Sequence, residues 1–446
     1  IFIFKTDEND SECGLEGVVF EVRKKGEKNV ICLITTDENG RGESQLLPLG
    51  EYTVKERETK AGFILSDEEH SVTISGDKST VKLKLTNTPN TVMLEKLDIT
   101  DSDALPGAVI EVTNEAGEIV FTGETNNDGS VVLHELPAGS YTWKETVAPE
   151  GYAINVAEFT FSIDEYGKIT GDTERTDEPT CITVKKLDAH TGKPMPGVAF
   201  TLLDKQGEVV KLTKAESGYY LPAEDGAETF AVNDKGEAEI RYLKVGEYTL
   251  KENTPAGYIS TSDSLITLTD EYGISSPCGV VVYNEPTAFK LYKVREDNGK
   301  PLAGAGFTFK TKGLPFFSTL KFDKLADGEY IRSENGEYTE LMTDAKGGLT
   351  VYGLPIGEVW VEESTVPKGF FPIAAFKVEI TAGNWSKEPL TTTVKNAVFV
   401  KLGMDYDKYE YLYPYISAAL LLSGGLAAFF IIRKKKRNTK TTESEE

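Results

Sequence analysis

The sequence predicts an all-β chain of four tandem β-sandwich domains followed by one C-terminal transmembrane helix. Three observations predict it. Strand-like runs recur every eight to twelve residues with period-2 alternation, as in Tyr248-Thr249-Leu250, and no long apolar pattern of period 3.6 accompanies them. One pattern of residues repeats four times in register. A single uncharged segment near the C-terminus departs from the rest of the composition.

Composition narrows the function classes before any motif is considered. With 39% apolar and 10% aromatic residues, the chain can build packed cores and is not globally disordered, and 446 residues suit two to four domains. Its 48 Lys and Arg against 72 Asp and Glu give a net charge of −24, which excludes a nucleic-acid binder that must neutralise phosphates. Only 3 His and 4 Cys are present, none spaced as C-x-x-C or H-x-x-x-H, so zinc sites and Cys/His nucleophile pairs are disfavoured and no cofactor is expected. The 41 Gly and the combined 41 Tyr and Phe favour turns and strands.

Each repeat opens with a β-rich run ending in Lys-x-Asp or a near relative: FIFKTD (Lys5), MLEKLD (Lys96), TVKKLD (Lys186) and KLYKVR (Lys293). A Gly follows eleven residues after the Lys at Gly107, Gly197 and Gly304, and twelve after it at Gly17. Then come a Gly-turn and an alternating strand: GEYTVKE to Glu56, GSYTWKE to Glu145, GEYTLKE to Glu252 and GEVWVEE to Glu363. A Gly-aromatic pair follows (Gly62-Phe63, Gly151-Tyr152, Gly257-Tyr258, Gly369-Phe370), and a last strand ends in Asn87, Asp177, Asn284 or Asn396.

The intervals show which half of the repeat is fixed. From Glu to the final Asn or Asp they are 31, 32, 32 and 33 residues, whereas from Lys to Glu they are 51, 49, 66 and 70. The second half is therefore a framework, and the first absorbs its differences in two stretches, 211–230 and 313–340, expected to be long loops. Domains are expected at 1–89, 90–179, 180–286 and 287–397, joined through short, stiff, Pro-containing junctions (TNTPN, DEPT, NEPT).

A juxtamembrane segment, 398–414, leads to Tyr415–Ile432, which carries no charge; with Tyr411 to Pro414 the stretch reaches the roughly 20 residues that span a bilayer. Arg433 to Arg437 (RKKKR) follow, so the tail 433–446 is expected in the cytoplasm and everything before the helix outside, with Tyr411, Tyr413 and Tyr415 at the outer interface. A buried core helix is the alternative, and five consecutive cations suit a membrane boundary better. Ile1 is not a start methionine and IFIFK already reads as a strand, so a signal peptide and further domains are expected upstream.

Lys and Glu on strands ordinarily face water. Here each recurring Lys has apolar strand neighbours (Phe2, Phe4; Val92, Leu94; Ile182, Val184; Phe289, Leu291), and Lys, Glu and Asn or Asp recur in register on first, middle and last strands. That pattern implies one buried constellation per domain. Burial drives a Lys toward its neutral amine and a Glu toward its neutral acid. A neutral amine is a nucleophile, and a protonated carboxyl can polarise a carbonyl and shuttle protons. Attack on the Asn carboxamide with loss of ammonia gives an intramolecular isopeptide bond; with Asp177 the leaving group is water.

Together these motifs (LxLxK-x-D, GxPLxGAxF, GxYxxxExxxPxGY, terminal N) resemble the SpaA / Cna-B type prealbumin-like domains of Gram-positive surface proteins and pilins, over about residues 1 to 397. The resemblance implies Ig-like/prealbumin-like sandwiches and a Lys–Asn or Lys–Asp isopeptide assisted by an acid. Carried onto this sequence, nucleophile, acid and acceptor are Lys5, Glu56 and Asn87; Lys96, Glu145 and Asp177; Lys186, Glu252 and Asn284; Lys293, Glu363 and Asn396. The fourth repeat departs from the pattern: Arg295 stands where the others have Asp, and Glu362 competes with Glu363 for the acid role.

The first and last strands are expected to run parallel, because a Lys near the start must face an acceptor near the end of domains strung in a line. Cys181, five residues before Lys186, and Cys278, six before Asn284, then fall on neighbouring strands, and a Cys181–Cys278 disulfide is expected, with Cys13 and Cys32 as a weaker pair. LPLGEY, LPAGSY and LPIGEV look like sortase signals but are turns inside the repeat, and neither a sorting signal in Gly403 to Pro414 nor a Y-P-K pilin motif is present. Acid clusters such as Asp98, Asp101 and Asp103, or Asn126-Asn127-Asp128-Gly129, read as calcium ligands or as turns, and turns suffice.

The expected function is a cell-surface structural stalk or fimbria-like protein stabilised by isopeptide bonds, held by the membrane through its C-terminal helix, with cell-wall attachment left open. The alternative is an adhesin whose third or fourth domain binds a host or neighbouring-cell ligand, so a surface-protein or host partner stays open. An enzyme acting on an external small-molecule substrate is not expected, because the chemistry turns over once, on the chain itself.

Overall fold

A computed structural model describes residues 1–312 and 317–399, and the membrane-helix and tail expectations, with the juxtamembrane segment from residue 400 on, lie outside these residues. Among the described residues every regular element is a strand. Contacts divide the chain into two units, one covering Ile1–Pro255 with Ile259–Glu285 and the other Ala256–Tyr258 with Pro286 onward.

Within the first unit, three pairs of sheets succeed one another, each pair enclosing its own core. In the first pair, Ile3, Phe20, Val22, Ile34, Tyr52, Val54 and Val72 form the cluster; in the second it is Val92, Leu94, Ile110, Val112, Trp143 and Phe161. Phe200, Leu202, Ile240, Leu250, Ile266 and Leu268 are buried in the third. The second unit has one pair of sheets around Phe289, Leu291, Phe307, Phe309, Phe322, Val359, Val361 and Ile380. The alternation in the sequence explains the layers: in Gly50–Glu58 the burial pattern puts Tyr52, Val54 and Glu56 inside while Glu51 and Lys55 lie at or near the surface.

The opening strands Phe2–Asp7, Thr91–Asp98, Cys181–Asp188 and Ala288–Arg295 each pair in parallel with the closing strand of the same domain: Lys82–Asn87, Glu174–Asp177, Cys278–Asn284 and Leu390–Asn396. The Glu-bearing strands Gly50–Glu58, Gly139–Val147, Gly246–Glu252 and Gly357–Thr365 lie in the opposite sheet, antiparallel to their neighbours. Each trio is thus assembled across both layers of a sandwich.

The expected long loops are corrected in both places where they are described. Leu212–Lys214 pairs with Tyr220–Pro222, and Phe322–Ala326 with Glu329–Arg332, so each insertion adds a hairpin to the sheet that holds the opening strand. Leu212, Phe322 and Tyr330 anchor these hairpins at 3%, 0% and 2% exposure, burial that a loop of charged and small residues would not supply.

The junctions are tied by hydrogen bonds. Thr180 donates its amide to Gly151 O at 2.9 Å and its hydroxyl to Leu243 O at 2.6 Å, while Asn90 donates its amide to Gly62 O and its side chain to Leu136 O, both at 2.8 Å. Gly62, at φ +90°, admits no side chain: a Cβ there would lie 2.3 Å from Glu135 O.

Candidate buried triads

The parallel register explains why the acceptor lies where it does. Lys5 stands beside Leu85, Lys96 beside Arg175, Lys186 beside Val282 and Lys293 beside Val394, so in every domain the acceptor is two residues further along the neighbouring strand and on the same face. The Lys side chains crossing that offset are 1%, 1%, 0% and 0% exposed, and Asn87, Asp177, Asn284 and Asn396 are 4% or less.

In the first domain Lys5 Nζ donates to Asn87 Oδ1 at 2.5 Å and to Thr86 O at 2.8 Å, and lies 2.9 Å from Glu56 Oε2. The other carboxylate oxygen, Glu56 Oε1, accepts from Asn87 Nδ2 at 2.6 Å, which also donates to Thr59 Oγ1 at 2.8 Å. One carboxyl group therefore touches both the attacking and the leaving nitrogen. The fourth domain repeats the arrangement: Lys293 Nζ donates to Asn396 Oδ1 and lies 2.9 Å from Glu363 Oε1, which accepts from Asn396 Nδ2 at 2.8 Å. Glu362 is exposed and pairs with Lys310, so Glu363 is the acid within reach.

The other two trios differ in detail. In the third domain Asn284 Nδ2 donates to Glu252 Oε1 at 2.7 Å, but Lys186 Nζ is 3.7 Å from that oxygen and donates to Val282 O at 3.4 Å, and Asn284 Oδ1 is buried without a hydrogen-bond partner. In the second, Lys96 Nζ contacts Asp177 Oδ1 and lies 3.5 Å from Glu145 Oε1, while Glu145 Oε2 accepts from the Asn155 amide at 2.8 Å.

Burial sets the protonation of these groups. It lowers the Lys5 and Lys293 ammonium groups despite the pull of Glu56 and Glu363, and brings Lys186 down to about 8. It raises the Asp177 carboxyl and pushes Glu145 up to about 8, with Lys96 opposing and the Asp177 charge adding to the rise. Phe20 and Phe307 face Lys5 and Lys293 at 5.7 and 5.4 Å from the ring centroid, part of the apolar wall.

Some participants were not assigned from the sequence. Thr59, the Asn155 amide and the Ile373 amide, which donates to Glu363 Oε2 at 3.0 Å, hold the carboxyl or carboxamide groups from loops after the Glu strand. The Asp of Lys-x-Asp lies directly beside the acceptor, as Asp7 does beside Asn87, and organises the following turn: Asp98 Oδ1 accepts from the Thr100 amide at 2.6 Å, and Asp188 Oδ1 from the Thr191 amide at 2.7 Å. Its recurrence was the available signal. Asn126 Oδ1 likewise accepts from the amides of Asp128 and Ser130, as in an ordinary turn.

The Cys181–Cys278 expectation is corrected: all four cysteines are free thiols. Cys278 pairs with Ile182, so Cys181, one residue away, projects from the opposite face of the sheet. The Cys181 thiol faces Glu239 Oε1 at 3.6 Å, whereas that of Cys278 is directed to Thr267 O at 4.0 Å.

Fold and site together define a tandem array of β-sandwiches, each closed by parallel terminal strands over a buried Lys, Glu and Asn or Asp. The SpaA prealbumin-like fold domain matches residues 1–89, 90–177, 180–275 and 287–396, and the chain belongs to that family. Serine-aspartate repeat-containing protein D of Staphylococcus aureus is 25% identical over 289 residues, 57% of this chain and 21% of its own length. Serine-aspartate repeat-containing protein F of Staphylococcus epidermidis is 23% identical over 414 residues, 74% of this chain and 22% of its own. The chain thus spans about a fifth of these curated relatives. Among solved structures, the Bacillus anthracis TIE protein is 29% identical at a TM-score of 0.36, covering 64% of this chain and 50% of its own. A streptococcal ancillary pilin is 18% identical at a TM-score of 0.28, covering 70% and 99%.

Proposed function

We propose that this chain is a structural element of a Gram-positive cell surface, a stalk or fimbria-like tether whose four domains are each locked by a covalent bond from Lys to Asn or Asp. The observation that carries the reading is the position of Glu56, with one oxygen on Lys5 Nζ and the other on Asn87 Nδ2. The neutral amine attacks the carboxamide carbon and passes a proton to the carboxylate; Glu56 returns a proton to the departing nitrogen, the C–N bond to Nδ2 breaks, and ammonia leaves. At Asp177 the acceptor is the neutral acid: the protonated Glu145 gives its proton to the departing oxygen and takes up the one the amine sheds, and water leaves. The carboxyl ends as it began, which makes it a catalyst for one turnover.

A bond between the first and last strands changes how the domain carries load. Tension entering along the opening strand can leave through the closing strand without peeling the sheets apart. The domain boundaries at 89/90, 179/180 and 286/287 and the membrane anchor at 415–432 belong to the same proposal. Four successive copies of one prealbumin-like fold domain support a structural role over an enzymatic one. Intact mass of the purified chain tests it: loss of three ammonia and one water molecule is expected, and the unmodified mass would overturn the reading.

A further inference from the structure

The hairpin inserted in the third domain builds a concavity that the triads do not use. Its turn, Ser217-Gly218-Tyr219, folds over the solvent face of the sheet and encloses about 490 Å³, within the roughly 300–1,000 Å³ of small-ligand sites. Tyr219 forms a wall, its ring centroid 4.2 Å from the Arg241 guanidinium and 6.2 Å from the Tyr242 ring. Tyr220 is pinned by its hydroxyl to Ala231 O at 2.9 Å.

The floor alternates in sign. Lys185 lies beside Glu237 in the antiparallel ladder with an ion pair at 3.5 Å, and Arg241 donates to Glu239. Lys214, over the Tyr220 ring at 5.5 Å, makes no ion pair among the described residues. The lining therefore carries one uncompensated positive charge in a chain of net charge −24. An anion is drawn to this spot and repelled by most of the rest.

The chemistry that fits needs one negative charge, several hydroxyls and an apolar face. Hydroxyls can donate to Glu237 and Glu239 while accepting from Lys185 and Arg241, and C–H faces stack on the tyrosines. A multiply charged acidic peptide would set further anions against the two glutamates. We infer that the third domain binds an acidic sugar, a carboxylate-bearing pyranose unit, with its carboxylate at Lys214 and its ring against Tyr219.

The cross-links are not part of this site, so intact mass and sugar binding can fail separately. The test is saturation-transfer NMR on the intact chain, with glucuronic acid as probe, glucose as its neutral counterpart and tri-glutamate as the acidic peptide. Glucuronic acid should bind more tightly than either, and Lys214→Glu should weaken it about tenfold or more. The exposed Lys324→Glu in the fourth domain should leave binding unchanged, and unaltered melting of Lys214→Glu excludes misfolding. No transfer to glucuronic acid, equal affinity after Lys214→Glu, or stronger binding of tri-glutamate would each overturn the assignment.

Discussion

Lys5 reaches diagonally across a parallel strand pair to Asn87, which lies two residues beyond its register partner Leu85. Parallel pairing of terminal strands makes this contact span almost the whole domain, 82 residues apart in sequence. A covalent closure there removes unfolded-state freedom much as a disulfide of the same span would, about 4 to 5 kcal/mol in the chain-entropy account. Lys5→Ala should restore one ammonia to the mass and lower the melting temperature of the first domain. An unchanged mass deficit would show that Lys5 is not the nucleophile.

Glu56 contacts amine and carboxamide through different oxygens, so its role separates from simple charge pairing. Glu56→Gln keeps the shape and a hydrogen-bond acceptor but cannot relay a proton. The variant should fold and leave the first domain unlinked, again with one more ammonia in the mass. Closure at normal yield in Glu56→Gln would remove the carboxyl from the mechanism.

The second and third domains should close with opposite pH trends. Glu145 titrates near 8, so it holds its proton below that pH and loses it above; Lys186 is lowered to about 8, so its nucleophilic amine grows as pH rises to that value. Water loss at Asp177 should therefore slow above about 8, and ammonia loss at Asn284 should slow below it. Stability before closure follows the same shifts. The folded chain binds more protons than the unfolded at Glu145 between 4.5 and about 8, so that contribution is complete below 4.5 and lost as pH passes 8. At Lys186 the unfolded chain binds more between about 8 and 10.5, so stability rises across that window. Mass against time after cell-free synthesis, on either side of 8, checks the rates; parallel trends in both domains would contradict the assignment.

Asp98 shows what the repeat pattern could and could not disclose. Its recurrence after Lys96 was legible, as were the four-domain architecture and the residues of each triad, because strand alternation and register both leave a period in the sequence. Its partners were not. Asp98 Oδ2 accepts from Tyr152 Oη at 2.7 Å and from Tyr242 Oη at 3.1 Å, the second 144 residues away, and Tyr242 also meets Thr100 Oγ1 at 2.9 Å. Contacts between neighbouring domains depend on the angle at which they dock, which no local pattern encodes. The cysteines failed for a related reason: spacing placed Cys181 and Cys278 on adjacent strands, but a register difference of one residue decides which face each occupies.

The Asp98 junction can be weakened without touching a triad. Burial acts to raise the Asp98 carboxyl, yet hydrogen bonds from Thr100, Tyr152 and Tyr242 outweigh it and hold the group below its ordinary value, while both tyrosine hydroxyls are pushed up. Tyr242→Phe removes one donor to that carboxylate and keeps the edge contact with the Tyr152 ring. It should cost about 1 to 3 kcal/mol at the junction, seen as faster exchange of the Thr180 amide and of the amide at position 242, which donates to Thr180 O, with the mass deficit intact. Unchanged exchange would mean that the backbone bonds alone hold the two domains.

Asp177 offers a test that does not rest on stability. If Lys96 attacks its carboxyl, the product is the same amide whether the acceptor began as Asp, losing water, or as Asn, losing ammonia. The mature Asp177→Asn chain should therefore have the same intact mass as the parent, although the two primary sequences differ in mass. If the second domain does not close, the difference between Asp and Asn persists. The substitution would also remove the anion that adds to the rise at Glu145, easing ionisation of that acid and moving the upper pH limit for closure downward. Equal masses with an earlier fall in rate on raising the pH are the combined outcome expected of a Lys96–Asp177 bond assisted by Glu145.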